Sequence, residues 1–450
     1  MFNYFKVSKF FLILPVLGIF IVSTSTLFPF IVGKYVWFRS TVDIALLLFL
    51  FGLLLHDNQS VMWSRVKFVL KQPLVRAVSL FVLIFLFAGF FGVDPKMSFW
   101  SNFERGEGGL QIIHFWIWFI LLVSMFKEEK DWRTIFGFAL TGGVLMAAYG
   151  FLAGIGANGF IGPRLGADRI SGSIGNPAYT AAYSIFMLFY IGYLLVSKYR
   201  TQLRSAGAIV LYLLTALFLT TFLLAATRGA FIGLVVSIVA FLGFVMFVHK
   251  EWRKWFITAI VVLILLVGLG VKFKDSTFVK AIPGSRIFDI SVTTNTFKDR
   301  SYMWNIALEG TKERPLLGWG PENYLRVFER HMDINYFKPT EGFGAWFDRA
   351  HSIYFDYLVE TGILGLLSFL GMFVAFYSQF LKKRKGESVL STKSTLEQAL
   401  LFSILLAYLV QGLVLFDVSP IYLNVFLILA FGAYQFQLRE LKGVTKSTNK

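Results

Sequence analysis

The chain has no cysteine among its 450 residues and only 5 histidines. Without cysteine it cannot form disulfides, thiolate metal sites, iron–sulfur clusters or a cysteine nucleophile. The sequence also has no His-x-x-x-His pair, no Asp-x-Asp on the predicted outer face and no Walker-type glycine loop. These absences remove the usual support for a dedicated metal or nucleotide site. We therefore expect a function that needs no metal and no cofactor.

Charged residues are also scarce. They make up 15% of the chain, whereas hydrophobic residues make up 56%, and the mean hydropathy is +0.67. This composition lies far from that of a soluble globular domain. Several apolar runs approach or exceed the roughly 18 to 20 residues that cross the hydrocarbon core of a bilayer. The sequence therefore predicts an all-α polytopic membrane protein.

The apolar runs divide the chain into about twelve predicted transmembrane helices. Helices 1–9 fall within 1–271, a long loop occupies 272–352, and helices 10–12 and a cytoplasmic tail follow in 353–450. The predicted helices lie at roughly 10–32, 41–56, 77–93, 110–126, 134–156, 178–196, 206–226, 230–248, 256–271, 353–381, 396–416 and 420–437.

The net charge of +17 is distributed as in a membrane protein. Most Lys and Arg residues of the short connections fall on one side of the predicted helices, and the positive-inside rule identifies that side as the cytoplasm. Both termini are therefore predicted to be cytoplasmic and loop 272–352 to be extracytoplasmic. The excess positive charge then reflects topology, and we expect no nucleic-acid partner.

Loop 272–352 has the composition of a small folded lid. It contains Trp304, Pro315, Trp319 and many other aromatic residues, which a disordered linker usually lacks. We expect short helices in it around 300–312 and 322–332.

His351 is the histidine that stands at the junction between this loop and the tenth predicted helix, within Ala-His-Ser-Ile-Tyr. A neutral imidazole there could accept a proton from a substrate hydroxyl. An interfacial histidine that flanks a helix gives the same pattern, and position alone favours this second interpretation. Both interpretations stay open at this point.

Arg228 interrupts a long apolar stretch that must turn, because the stretch is about twice as long as a bilayer requires. An arginine at such a hairpin could bind two oxygens of a phosphate. Its side chain could equally extend to lipid headgroups. Arg300 opens an amphipathic segment of the loop, where a solvated charge paired with Asp299 is the simpler interpretation.

Four further residues on the predicted outer face are candidates of similar standing: Arg105, Arg164, Arg169 and Asn176. Asn176 precedes Pro177, and this pair is also an ordinary helix-start signal. Asp356 and Glu360 lie four residues apart and share a helix face. As a pair they could bind a cation or orient His351, although such residues more often stay in the wet interfacial layer.

These residues form an ordered pattern between 105 and 366. It comprises the Arg105 loop, Gly-Asn-Pro at 175–177, Thr-Arg-Gly-Ala at 227–230, Arg300 with Trp304, Pro-Leu-Leu-Gly-Trp-Gly at 315–320, His-Ser-Ile-Tyr at 351–354 and Glu-Thr-Gly-Ile-Leu-Gly-Leu at 360–366. The pattern resembles the O-antigen ligase and O-antigen polymerase superfamily of bacterial membrane glycosyltransferases. The family often has Asn after the histidine, where this chain has Ser352, so a hydrogen bond that needs that amide is in doubt.

The resemblance implies a GT-C-like fold in the bacterial inner membrane and a metal-independent enzyme acting on glycans carried by undecaprenyl diphosphate. It assigns the diphosphate to Arg228 and Arg300 and the role of base to His351. By the same resemblance, Arg105, Arg164, Arg169 and Asn176 would bind substrate, and Tyr354 and Glu360 would support the site. The implied partners are the lipid-linked glycan donor, a glycolipid or other hydroxyl acceptor, and the bilayer.

Several functions share this pattern. If the acceptor is lipid A core, the protein is a ligase, which is our default. If the acceptor is another lipid-linked repeat, it is a polymerase. A Ser or Thr side chain as acceptor would make it a protein O-glycosyltransferase. A transporter or lipid flippase would also have about twelve helices, but such proteins usually place ionisable residues deep within their spans. A catalytically silent scaffold is the third class.

Overall fold

The computed structural model describes residues 3–55, 59–102, 104–154, 169–290, 295–336, 346–382 and 391–447. Within these ranges the regular elements are α-helices and short 3₁₀ or π turns, with no β-strand. The prediction of an all-α polytopic membrane protein is confirmed at this level.

The α-helices follow one another along the chain in a single series. In order they are α1 Tyr4–Phe11, α2 Val32–Leu55, α3 Gln59–Leu70, α4 Pro73–Phe90, α5 Pro95–Trp100, α6 Gly109–Met125, α7 Glu129–Gly154, α8 Pro177–Leu194, α9 Ala206–Ala225, α10 Arg228–Val248, α11 Arg253–Lys272, α12 Thr277–Lys280, α13 Asn295–Glu313, α14 Tyr324–His331, α15 Ile353–Lys382, α16 Thr392–Gln411 and α17 Ser419–Ser447.

Among the described residues, 10 helices are long and apolar enough to cross a membrane: α2, α4, α7, α8, α9, α10, α11, α15, α16 and α17. Helix α6 is also apolar but shorter. The predicted count of about twelve is therefore not confirmed.

The prediction of one continuous helix over 10–32 is wrong. Helix α1 ends at Phe11, and a 3₁₀ helix over Leu14–Phe20 follows it before the chain becomes extended at Ile21. Pro15 explains the break, because a proline has no backbone N–H and its ring disfavours the α conformation in the residue before it.

The helices surround one large apolar core to which most of the long helices contribute. Helix α16 packs against α10, α15 against α4, and α17 against α6. Helix α8 is buried over most of its length, whereas α11 has no buried residue. An apolar helix that leaves all of its residues at least partly exposed fits a position against lipid.

The segment between α11 and α15 folds into a small layer with its own apolar cluster. Helices α13 and α14 lie where the sequence predicted helices. Their buried side chains, including Met303, Ile306 and Phe328, pack with Trp319 and with Val359 of α15. The layer is thus seated on the first turns of α15.

Helix α15 is broken at Gly362, where φ is 67° and ψ is −172°. This backbone region is open essentially to glycine alone. The break exposes backbone groups, and the 315–320 segment pairs with them: Gly320 N donates to Glu360 O at 2.8 Å, and Ile363 N donates to Pro315 O at 2.8 Å. Two motifs that lie far apart in sequence therefore form one structural unit.

Candidate functional site

The centre of the candidate site is the guanidinium of Arg349, which is buried among carboxylates. It donates to Glu360 Oε1 at 2.8 Å and to Glu322, and Glu107 Oε2 lies 3.9 Å away. These carboxylates come from α15, from the turn before α14 and from the loop before α6. Burial raises the pKa of Glu107 to about 8, and the positive charge of Arg349 opposes this shift.

Sequence reasoning missed Arg349, Glu107 and Glu322. In the sequence they are ordinary loop charges, and only the folded chain brings them together. One feature of the sequence could have identified Arg349, because it stands two residues before the candidate His351. Glu360 was a candidate, but its partner is Arg349 and not His351.

The two carboxylates at the start of α15 hold the backbone of the turn that leads to His351. Asp356 Oδ1 accepts a hydrogen bond from Ala350 N at 2.7 Å, and Glu360 fixes Arg349. Tyr354 donates its hydroxyl to Leu409 O at 2.8 Å, which ties α15 to α16. These three side chains therefore fix the path of the main chain around His351.

His351 has a left-handed backbone, with φ at 57°. This conformation is rare outside glycine and occurs most often where the surrounding structure imposes it at functional sites. The ring packs edge-on against Phe347 and Phe416, with centroid distances of 5.6 and 4.9 Å. Tight packing and the strained backbone together give the imidazole one orientation.

The protonation of His351 follows from its contacts. Its Nδ1 lies 3.1 Å from Arg349 O, and this contact assigns the proton to Nδ1, because a carbonyl only accepts. The Nε2 lone pair is then available to a substrate. Burial lowers the pKa of His351, and the positive charge of Arg300 acts in the same direction. The ring is therefore neutral at pH 7.

Arg228 is the first residue of α10 and follows a tight turn after α9. The turn places Ala226 in the left-handed region, with φ at 46°, as the predicted hairpin requires. The Arg228 guanidinium donates from Nη1 to Asp289 O at 2.9 Å and lies 3.7 Å from the Asp289 carboxylate. It is therefore held under the loop after α11.

Arg228 belongs to a group of four arginines. Burial lowers the pKa of Arg300, and the positive charges of Arg228 and Arg286 lower it further. Burial also lowers the pKa of Arg169 to about 10, with Arg286 and Arg228 again contributing. Arg300 and Arg169 are thus both subject to the positive charges of Arg228 and Arg286.

A group of like charges in a partly buried place favours an anion. The Nε atom of Arg300 is buried and has no hydrogen-bond partner within the described residues. Arg169 is already held, because it donates to Ala225 O and to Thr227 Oγ1. Sequence reasoning also missed Arg286 as a member of this group, because in the sequence it is an ordinary charge of the long loop.

The remaining predicted site residues are Arg105, Asn176 and Arg164. Arg105 forms a two-point pair with Asp348, at 2.9 and 3.0 Å, and lies 4.9 Å above the Phe416 ring. Asn176 caps α8 by accepting from Ala178 N at 2.8 Å, so its helix-start interpretation is confirmed. Arg164 lies outside the described residues.

These features define a polytopic helical membrane protein with a group of partly buried arginines and a neutral histidine at the end of the folded segment between α11 and α15. A family model described as O-antigen ligase matches residues 213–370, a range that contains Arg228, Arg300 and His351. The match confirms the resemblance to the O-antigen ligase and polymerase superfamily.

A Haemophilus influenzae protein described as uncharacterized is 25% identical over 214 residues, which cover 45% of this chain and 49% of that protein. The matched segment thus spans about half the length of this curated relative.

The Arg349 cluster generates a stability prediction. Arg349→Leu leaves the carboxylates of Glu322 and Glu360 buried without their cation, so we expect a loss of about 3–5 kcal/mol in unfolding free energy. Unfolding of the detergent-solubilised protein, followed by tryptophan fluorescence, measures it. Arg326→Leu is the control, because Arg326 and Glu329 form an exposed pair at 3.5 Å worth about 0–1 kcal/mol. Equal losses in the two variants would show that the buried cluster has no special structural role.

Proposed function

We propose that this protein is an O-antigen ligase-like glycosyltransferase. It moves a glycan from undecaprenyl diphosphate to an acceptor hydroxyl without a metal ion. The observation that carries the proposal is a packed, neutral histidine near a group of arginines: the charge of Arg300 lowers the pKa of His351, and the charge of Arg228 lowers the pKa of Arg300. A base and an anion site next to each other suit transfer from a diphosphate.

The arginines would stabilise the leaving group. When the bond between the sugar carbon and the diphosphate oxygen breaks, the electron pair stays on the diphosphate and its negative charge increases. Guanidinium groups fixed in a site of low dielectric favour this charge without having to reorganise. Arg228 and Arg300 are the two assigned to the diphosphate, and Arg286 and Arg169 add positive charge around it.

His351 would activate the acceptor. Its Nε2 takes the proton of the acceptor hydroxyl as the oxygen attacks the sugar carbon, and the proton then resides on the imidazole until solvent removes it. The neutral ring required for this step is the form that burial favours. Arg349 O holds Nδ1–H, so the base keeps one tautomer throughout.

We further propose that the reaction takes place outside the cytoplasm of a bacterial inner membrane, with both termini of the protein inside. The distribution of Lys and Arg supports this orientation. The chain has no natural cysteine, so single variants at the two sides of α11 test it cleanly. A membrane-impermeant thiol reagent applied to intact spheroplasts should label Lys280→Cys and leave Lys254→Cys unlabelled. The opposite pattern would place the site in the cytoplasm.

Lipid A core is the default acceptor, and a second lipid-linked repeat or a protein hydroxyl would give a polymerase or a protein O-glycosyltransferase. The chemistry at His351 is the same in each case. The products differ, because glycan appears on lipid A, on a lengthened carrier-linked chain or on a glycoprotein, and gel analysis of reconstituted membranes separates them.

The catalytic prediction concerns the rate of transfer and its dependence on pH. His351→Ala should lower kcat/KM by about 10²- to 10⁴-fold, as expected for loss of a general base. The wild-type rate should rise with pH through an apparent pKa below 6.5, because only the neutral imidazole accepts a proton. In Arg300→Gln this rise should move to higher pH, since a charge that lowers the histidine pKa has been removed.

His331→Ala is the matched control, because His331 lies in the same loop but pairs with Glu313 at 3.1 Å. It should keep the wild-type rate and pH profile. Full transfer by His351→Ala in membranes that contain donor and acceptor would exclude His351 as the base.

A further inference from the structure

A cavity of about 200 Å³ lies beside the catalytic histidine, between the starts of α2, α8 and α17 and the loop before α6. Arg105, Asn176, Tyr179 and Ser419 line it with polar atoms, and Phe30 and Ile174 provide apolar walls. Apolar surface combined with a few fixed polar groups is typical of a small-molecule site. The four arginines near the hairpin of α9 and α10 already account for the diphosphate, so this cavity is available for another part of the substrates.

Tyr179 is the first sign that the cavity binds a ligand. The residue is only 4% exposed, and its hydroxyl has no hydrogen-bond partner within the described part of the chain. Leaving a buried hydroxyl unpaired is costly, and native proteins rarely do so without a reason. The ring is well fixed, because it packs edge-on against Phe416 at 5.6 Å. A ligand in the cavity would supply the missing partner.

Two further donors remain available at the cavity. Arg105 uses Nε and Nη2 on Asp348, so its Nη1 is the nitrogen left for a ligand. Asn176 uses Oδ1 to cap α8, and its exposed side chain keeps the amide Nδ2 for other contacts. Lys34 also lines the cavity, but its Nζ is taken up by three backbone carbonyls. The available groups are thus a hydroxyl, an amide and one edge of a guanidinium.

The cavity adjoins the reaction centre through Phe416. The ring of His351 and the guanidinium of Arg105 each lie 4.9 Å from the centroid of the Phe416 ring. The positive charge of Arg105 lowers the pKa of His351, as does that of Arg300. The histidine is therefore close both to Arg300 of the arginine group and to Arg105 of the cavity, so a hydroxyl held in the cavity can be presented to the base.

We propose that this cavity binds one sugar unit of the acceptor, with hydrogen bonds from the Tyr179 hydroxyl, Arg105 Nη1 and Asn176 Nδ2. A volume of about 200 Å³ is below the range of about 300–1,000 Å³ typical for larger ligands, so it suits a single monosaccharide. Phe30 and Ile174 would contact an apolar face of the ring. The proposal rests on the proposed glycosyl transfer and adds the binding site of the acceptor.

The test measures separate KM values for donor and acceptor with the full-length protein in nanodiscs. The probes are an undecaprenyl-diphosphate-linked repeat unit as donor and lipid A core without O antigen as acceptor. Tyr179→Phe removes only the hydroxyl, so the acceptor KM should rise by about twofold to tenfold, the equivalent of one hydrogen bond. The donor KM should stay within twofold of the wild-type value.

Two other variants sharpen this test. Asn176→Ser keeps a good helix cap but removes the amide, so it should also raise the acceptor KM. Tyr193→Phe is the matched control, because Tyr193 lies on the same helix, is 1% exposed and also has a buried hydroxyl without a partner in the described residues, yet does not line the cavity. It should leave both KM values unchanged.

The outcomes separate this proposal from the proposed function. No transfer by the wild type onto lipid A core, onto a second lipid-linked repeat or onto a protein hydroxyl would overturn both. Active wild-type protein with an unchanged acceptor KM in Tyr179→Phe and Asn176→Ser would overturn the acceptor cavity alone. A rise in the donor KM instead, or an equal rise in Tyr193→Phe, would also overturn it.

Discussion

The structure depends on the burial of one guanidinium, that of Arg349. A buried charge is tolerated only when opposite charges and hydrogen bonds surround it, so Glu107, Glu322 and Glu360 must converge on it. Because these carboxylates belong to three separate stretches of chain, the ion cluster joins the loop before α6, the long loop and α15. Glu322 and His351, the non-glycine residues with left-handed backbone nearest to it, show how closely the cluster constrains the main chain.

The ion cluster around Arg349 also fixes the backbone that leads to His351. Glu360 fixes Arg349, and Asp356 fixes the backbone of Ala350. The position of His351 is therefore constrained, and its Nδ1 faces the carbonyl oxygen of Arg349. Arg300 of the arginine group and Arg105 of the cavity both act electrostatically on the imidazole. Burial and the charge of Arg300 both lower the pKa of His351 and so favour its neutral form.

Much of this could be predicted from local sequence. Apolar run length gave most of the long helices, and the excess length around Arg228 predicted the hairpin. Pro15, which explains the break after α1, was also present in the sequence. The segment was nevertheless predicted as one helix, because its hydropathy resembles that of a transmembrane helix. The Arg349 cluster and Arg286 could not be predicted, since their significance arises from contacts between residues that are distant along the chain. The pairing of segment 315–320 with the Gly362 break is of the same kind.

The central claim is that Arg228 and Arg300 bind one lipid-linked diphosphate while His351 faces the acceptor beside it. The most direct measurement is an experimental structure of the protein with undecaprenyl diphosphate bound. We predict that phosphate oxygens lie within hydrogen-bond distance of the guanidinium groups of Arg228 and Arg300, with His351 Nε2 facing the space beside the diphosphate. A diphosphate bound elsewhere, with neither guanidinium in contact, would contradict this account.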